Sequence, residues 1–399
     1  MKFAHRTPTL PPWAHFLSSY LQDLQGKDLL RRLIPVQSLG SSRAVVAGKE
    51  MVLFCTNDYL GLSSDQRMKK AAMSALEQWG TGSGASRLIS GNMVLYGQLE
   101  ADCARFKETG SALVFSSGYS TNIGVITSLV SQGDTILSDQ LNHASIVDAC
   151  RLSRAEVIVY PHGDAHAVES YLKSKNRKGK ILVVTDGVFS MDGDLAPLPD
   201  LSGLCKDYGA LLVVDDAHGT GILGKRGAGT LDYFDIPSEG IIQVSTFSKA
   251  LGSLGGFVAC TKIARQYFVN KARSLIYSTA LPPSVLAANI EALRIVQQDP
   301  GLRFRLRQLT LRLRKGLEAL GIPVPNHPTP IFPIIIGVAG QTVRLSKYLM
   351  EKGVFVPPIR PPTVPKGQSR LRISLSASHR EEDIDLLVSA LSDYFRRGA

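Results

Sequence analysis

Ala210-Leu-Leu-Val-Val-Asp-Asp-Ala-His-Gly-Thr-Gly221 begins with five apolar residues and ends in two aspartates, a histidine and a small-residue turn. So short an apolar run, with no polar residue alternating through it, reads as a strand covered on both faces, the usual state of a parallel strand. The abrupt change to charge puts polar groups at its carboxyl end, where open α/β sheets hold their ligands. Working outward, the same unit recurs. Ala112–Phe115 leads to Ser117 and Gly118, and Thr135–Leu137 leads to Asp139 through His143. Ile181–Thr185 leads to Asp186 through Ser190, and Ile241–Val244 leads to Thr246 through Lys249, with further runs at Val157–Tyr160 and Phe257–Ala259. Alternation of such runs with helical segments predicts an α/β fold built on a large, mostly parallel sheet, and the polar clusters predict one large site.

At 399 residues the chain suits a large α/β domain with a smaller companion. Residues 1–50 read as an N-terminal arm with a helical opening, the basic cluster Lys27, Arg31 and Arg32, and a small polar stretch from Ser38 to Ser42. Residues 51–295 form the large domain. Beyond Pro300, Leu302, Leu306, Leu309, Leu313, Leu317 and Leu320 recur at helical spacing while Arg303, Arg305, Arg307, Arg312, Arg314 and Lys315 take other faces. With a strand over Ile331–Ile336, another through Leu371, Ile373 and Leu375, and a closing helix over Glu381–Arg396, residues 296–399 read as a small α+β domain.

Hydrophobic residues at 44% and charged residues at 20% exclude a disordered or fibrous chain. The longest nearly apolar stretch, Ile331–Gly340, is short of the ~20 residues that span a bilayer. Met1–Phe16, with His5, Arg6, Pro8, Pro11, Pro12 and His15, lacks the apolar core of a secretory signal, so a cytoplasmic location is expected. Cys55, Cys103, Cys150, Cys205 and Cys260 show no paired spacing and read as reduced thiols. A net charge of +11 favours an acidic partner: nucleic acid, a membrane surface, a phosphate-bearing cofactor or an acidic carrier.

Gly219, Gly221 and Gly224 match a dinucleotide fingerprint, but no helical stripe follows them to hold a pyrophosphate. With Lys225 they nearly spell a nucleotide-triphosphate loop, yet Arg226 stands where a magnesium-binding hydroxyl is needed. His162 and His166 have helical metal-ligand spacing, but Pro161 and Gly163 favour a turn and no third ligand is nearby. The arginine-rich helix from Arg303 to Lys315 could meet phosphates; with Phe304 its one aromatic, a solvated face is the better reading.

Asp215 follows a buried strand with no sequence-local cation, and burying an unpaired carboxylate is costly. A structural ion pair or a protonated ring nitrogen of a cofactor would each satisfy it. Lys249 lies 34 residues on, in Ser245-Thr-Phe-Ser-Lys-Ala-Leu-Gly-Ser-Leu-Gly-Gly256, a small-residue turn that permits close approach. At the ordinary lysine pKa about one amine in 2,500 is neutral at pH 7, so a nucleophilic lysine needs desolvation or a neighbouring cation.

Val213-Val-Asp-Asp-Ala-His-Gly-Thr-Gly221, Gly187-Val-Phe-Ser-Met-Asp-Gly-Asp194, Asn142-His-Ala-Ser145 and Thr246-Phe-Ser-Lys249 together resemble the α-oxoamine synthases of the type I pyridoxal-phosphate fold, over roughly residues 30–390. The resemblance implies pyridoxal 5'-phosphate bound to Lys249 as an imine, with Lys249 later moving a proton. Asp215 would face the pyridine nitrogen, His143 would stack on the ring near the substrate, and Ser190 and His218 would serve the ring-oxygen side. Gly118 and Tyr119, with Thr246, would take the phosphate. Arg372, in Leu371-Arg-Ile-Ser374, would grip the amino-acid carboxylate, while Arg31, Asn57 and Thr363 would bound the acyl substrate. Ile359-Arg-Pro-Pro-Thr-Val-Pro365 is most similar to the branch that condenses L-alanine with a pimeloyl thioester, carried by coenzyme A or acyl carrier protein, with decarboxylation. Glycine or serine acyltransferases are the sister activities. The resemblance further implies a homodimer in which Ser278 or Thr279 reaches the partner's phosphate, with no nucleic acid and no membrane among the partners.

Overall fold

The computed structural model describes residues 11–174 and 179–396. Residues 1–10, which carry His5, Arg6 and Pro8 of the N-terminal reading, lie outside the described residues.

In chain order the strands are β1 (Val36–Ser38), β2 (Arg43–Val46), β3 (Lys49–Leu53), β4 (Ser111–Phe115), β5 (Thr135–Asp139), β6 (Glu156–Tyr160), β7 (Ile181–Asp186), β8 (Leu211–Asp215), β9 (Ile241–Thr246), β10 (Gly256–Cys260), β11 (Ile331–Gly337), β12 (Val354–Phe355), β13 (Pro358–Ile359) and β14 (Ser369–Ser374). A seven-stranded sheet in the order β4-β10-β9-β8-β7-β5-β6 forms the body. Its ladders are parallel except on either side of β10, which runs antiparallel to β4 and β9. The period-2 alternation of side chains explains why the runs are apolar throughout. Leu182, Val184 and Val213 enter one core with Val125, Ile146 and Phe268, while Val183, Leu212 and Val214 enter another with Leu172, Leu201 and Leu231. Both faces are covered, as the sequence predicts.

The strands reach one or two residues beyond their apolar runs: β5 ends at Asp139, β7 at Asp186, β8 at Asp215 and β9 at Thr246. The ladder continues into the polar cluster, with Asp186 opposite Asp215. The first polar residue of each cluster is therefore held by strand geometry, which loops hold less firmly.

The C-terminal part contains the three-stranded sheet β11-β14-β13, the Pro300–Ala319 helix with Leu306, Leu309, Leu313 and Leu317 buried, and the Glu381–Arg396 helix. A further sheet, β1-β2-β3-β12, joins residues 36–53 to residues 354–355, and β12 runs parallel to β3. Beyond it, Ser374 N–H donates to the Phe54 carbonyl at 2.9 Å and Ala377 N–H to the Tyr59 carbonyl at 2.8 Å. Residues 54–59 are thereby laced to β14, which places Tyr59 beside Arg372.

The glycines after β8 do not open a nucleotide loop. The helix that follows, Thr230–Phe234, has five residues. A Cβ on Gly219 would lie 2.2 Å from Asp216 Oδ1, and one on Gly229 would lie 1.6 Å from Asp216 Oδ2. These glycines let the backbone close around Asp216, whose carboxylate meets Lys107 Nζ at 2.6 Å in a fully buried ion pair.

Candidate active site

Most of the sequence-predicted residues gather at the carboxyl ends of β5, β7, β8 and β9. Asp215 is 5% exposed; its Oδ2 accepts from Asn122 Nδ2 at 2.6 Å and its Oδ1 from Ala217 N–H at 3.0 Å. No ion pair reaches it among the described residues. Asn122 also donates to Ser145 Oγ at 2.8 Å, and Ser145 Oγ lies 2.8 Å from His143 Nδ1, so a chain of short bonds links Asp215 to His143. His143 caps the Ala144–Ser153 helix and donates its backbone N–H to Asp186 Oδ2 at 2.7 Å. Burial, helped by the adjacent Asp215 carboxylate, raises the Asp186 carboxyl well above the usual range.

Lys249 follows β9 at the bottom of this cluster and is half-buried. Burial lowers its ammonium from the ordinary lysine value, against the pull of the Asp215 and Asp186 carboxylates, and Arg372 adds to the lowering. The need for a desolvated lysine that the sequence raises is met by this placement.

Arg372 on β14 is 7% exposed and has no ion pair among the described residues. Its Nε donates to the Ser190 carbonyl and its Nη2 to Tyr59 Oη at 3.0 Å. Tyr59, fully buried, also meets His218 Nδ1 at 2.7 Å and donates towards Asn57 Oδ1 at 3.2 Å. Burial lowers the His218 imidazole well below its ordinary value, so the ring is neutral, and with the Tyr59 proton directed to Asn57 the Nδ1–H tautomer donates to the Tyr59 hydroxyl. Tyr59 thus joins Asn57, His218 and Arg372, three residues the sequence singles out separately. The sequence reading missed Tyr59, Asn122 and Asp186. Asp186 did stand in a recognised strand-end cluster, whereas Tyr59 follows no strand of the large sheet and had no such signal.

Gly118 and Tyr119 begin the Gly118–Leu129 helix. Its Ser117 cap satisfies Ser120 N–H, and first-turn amides have no intrahelical acceptor, which makes this end an anion receptor. A Cβ on Gly256 would lie 2.6 Å from Gly118 N, and one on Gly118 would lie 3.2 Å from Thr246 Cβ. Three bare or small positions form a cradle in which a phosphate can approach the backbone. The Tyr119 side chain is outside it, half-exposed, with its hydroxyl on Asp148.

Arg31 and Thr363 lie together at the surface: Arg31 Nη2 donates to the Pro361 carbonyl at 3.0 Å and sits 3.5 Å from Thr363 Oγ1. No hydrogen bond among the described residues ties them to the strand-end cluster.

The alternative sites dissolve. Among the described residues no group of His, Cys, Asp and Glu could hold a metal ion, and His162 lies in a turn between two aspartates. In the Pro300–Ala319 helix, Arg305 caps the Ala377 and His379 carbonyls, Arg314 those of Pro325 and His327, and Arg312 pairs with Glu381 and Asp385. These arginines serve the fold.

The aminotransferase class I and II family profile matches residues 49–391. The chain belongs to the aminotransferase class I and II family. Within this family it is 47% identical to an 8-amino-7-oxononanoate synthase from Lysinibacillus sphaericus, over 93% of this chain and 95% of that one. It is 48% identical to the enzyme of the same name from Geobacter sulfurreducens, over 94% and 97%. Among solved structures, serine palmitoyltransferase from S. paucimobilis, with bound PLP and myriocin, superposes with a TM-score of 0.92 at 29% identity over 97% and 99% of the two chains. The cofactor of this class I and II aminotransferase relative is pyridoxal 5'-phosphate. The site fits it: a buried carboxylate with no ion pair among the described residues, a lysine of lowered basicity and a helix-terminal cradle stand together.

Proposed function

We propose that the protein condenses L-alanine with a pimeloyl thioester, releasing carbon dioxide and giving 8-amino-7-oxononanoate in biotin biosynthesis. The observation that carries this reading is the convergence of Asp215, Lys249 and an Arg372 guanidinium free of any carboxylate among the described residues. The Gly118 and Tyr119 amides with the Thr246 hydroxyl would hold the cofactor phosphate, Asp215 would keep its ring nitrogen protonated, and His143 would cover the ring. Pyridoxal phosphate supplies an electron sink for charge developing at the amino acid's α-carbon. Arg372, fixed by Ser190 and Tyr59, turns its remaining donors to the amino-acid carboxylate in the planar fork suited to it. Lys249 Nζ, lowered towards neutrality, takes the α-proton and returns one later. His218 and Ser190 would steady the ring-oxygen side, with His218 kept neutral by burial and by the nearby Lys249 and Arg372 charges. Asn57, Arg31 and Thr363 border the acyl substrate, whose far end is itself a carboxylate suited to an exposed guanidinium.

Coenzyme A and acyl carrier protein are both acidic, and the +11 charge suits either as the thioester's carrier. We assign residues 1–50 to an arm, 51–295 to the cofactor-binding domain and 296–399 to the small domain. Five free cysteines, four of them buried, suit a cytoplasmic enzyme. The exposed apolar residues near Thr279 support a homodimer.

The test is the absorbance of purified protein with pyridoxal phosphate, titrated with L-alanine, glycine and L-serine. A band at ~420 nm that Lys249→Ala abolishes, perturbed most by L-alanine, is the expected result. A stronger response to glycine or serine moves the assignment to a sister acyltransferase, and no band at saturating cofactor removes it.

A further inference from the structure

His162 stands outside the cluster that the proposed chemistry uses, in the turn after β6, yet its ring meets carboxylates on both sides. Nδ1 lies 3.0 Å from Asp139 Oδ1 and Nε2 lies 2.7 Å from Asp194 Oδ2. The ring edge rests on Phe189, with centroids 4.3 Å apart and planes at 89°. Two carboxylates, one at each nitrogen, require both nitrogens to donate, which only the imidazolium does. The Asp139 and Asp194 carboxylates raise the imidazole to about 10, so the ring is charged throughout the neutral range.

Each aspartate adjoins or belongs to a loop that carries site residues. Asp139 ends β5, where Oδ1 also accepts Leu141 N–H at 2.8 Å, and its carbonyl accepts Asn142 N–H at 3.2 Å. Those bonds shape the short connection that ends in His143. Asp194 closes the turn that holds Ser190: Phe189 N–H donates to the Asp194 carbonyl at 3.0 Å and Gly193 N–H to the Phe189 carbonyl at 2.8 Å. From the other side Arg370 grips Asp192 and Arg372 takes the Ser190 carbonyl. The turn is therefore held by β14, by His327 and Thr329, which reach the Asp192 and Gly193 carbonyls at 3.1 and 2.7 Å, and by His162 on its Asp194 side.

We propose that His162 is a positioning residue that clamps the His143 loop to the Ser190 turn, fixing the ring-covering imidazole and, through the Ser190 carbonyl, the carboxylate-gripping Arg372. This rests on the cofactor and substrate assignments above. The clamp acts through placement, so its loss weakens binding of cofactor and amino acid more than it slows the committed chemistry.

The experiment has two parts. In wild-type holoenzyme labelled with ¹⁵N-histidine, His162→Gln identifies the signal of His162, which at pH 8.5 is expected to show both ring nitrogens protonated. A neutral ring overturns the proposal whether or not the variant folds well. In His162→Gln the dissociation constant for pyridoxal phosphate, followed by absorbance, and KM for L-alanine are each expected to rise about tenfold, with kcat changing less than about threefold. His166→Gln, whose side chain is almost fully exposed, is the control and leaves both unchanged. A variant that melts lower but keeps wild-type affinities, or loses kcat alone, overturns the clamp. A wild-type protein with no ~420 nm band would instead remove the functional reading, while the nitrogen spectrum would still judge the bridge.

Discussion

At the scale of single residues, the charges the proposed reaction does not use are the most exacting. Lys107 Nζ donates to Asp216 Oδ2 at 2.6 Å, Thr220 Oγ1 at 2.7 Å and the Ala228 carbonyl at 2.6 Å, with no exposure of either charged side chain. Asp216 also takes the Thr230 N–H and hydroxyl, so neither charge has a spare bond. Lys107→Met leaves a buried, unpaired carboxylate directly beside Asp215. Urea denaturation is expected to show a loss of about 3–5 kcal/mol, with Lys107→Met/Asp216→Asn losing less than the single variant. If the double variant is the less stable of the two, the pair is not the source of the loss. His162 makes a pH-dependent contribution of known sign. Its folded value is raised from 6.5 to about 10, so the stabilisation is fully present below 6.5, wanes as pH rises and is gone above about 10. Melting temperatures of wild type and His162→Gln should therefore converge between pH 7 and pH 10, and a constant gap would contradict the ion-paired ring.

At the scale of elements, the central strands were legible because their runs are apolar on both faces and give way to polar residues, with β5, β7 and β8 ending at Asp139, Asp186 and Asp215. The β1-β2-β3-β12 sheet was not. Its strands are two to five residues long, and its hairpin turns through Ala47 and Gly48, both at positive φ, without the Asn-Gly or Asp-Gly pair that usually marks such a turn. The same logic separates the site residues. Asp215, Lys249 and His143 announce themselves at strand ends, but the Asp139–His162–Asp194 bridge joins the end of β5 to two separate loops, and no local pattern encodes it. The Pro300–Ala319 helix shows the limit of a charge pattern: its arginines read as a solvated face, but Arg305 and Arg314 are part-buried and bonded to backbone carbonyls. Arg314→Ala strips two carbonyls of their donor and is expected to cost about 1–3 kcal/mol by thermal or urea unfolding. Arg312→Ala, which breaks only exposed ion pairs, should leave the unfolding midpoint close to that of wild type. Equal losses would mean that the helix is held by its charges and not by these caps.

At the scale of the whole molecule, the apolar surface is the feature that a single chain leaves unexplained. Leu88 and Ile89, 50% and 80% exposed, project from the turn Arg87–Gly91, and Tyr277 is 72% exposed. The two segments adjoin, since Ser86 bridges to Thr279 and Ala280 N–H donates to the Ala85 carbonyl at 3.0 Å. The base of the turn is rigid: Arg87 Nη1 meets Glu100 at 2.5 Å and the Val114 carbonyl at 3.0 Å, and its guanidinium lies 3.9 Å over the Tyr96 ring. A stiffly held apolar projection costs free energy in water unless another surface covers it. In the homodimer proposed here a second copy would do so, and Ser278 and Thr279, in the same stretch, would be the residues to reach the partner's phosphate cradle. Sedimentation of wild type is expected to give twice the 43.2 kDa chain mass. Ile89→Asp, which leaves the Arg87 anchor intact, should shift the population to the single-chain mass and weaken cofactor retention with it. A dissociated variant that keeps wild-type cofactor affinity would separate the interface from the site, and a wild-type monomer would leave the exposed patch to some other partner.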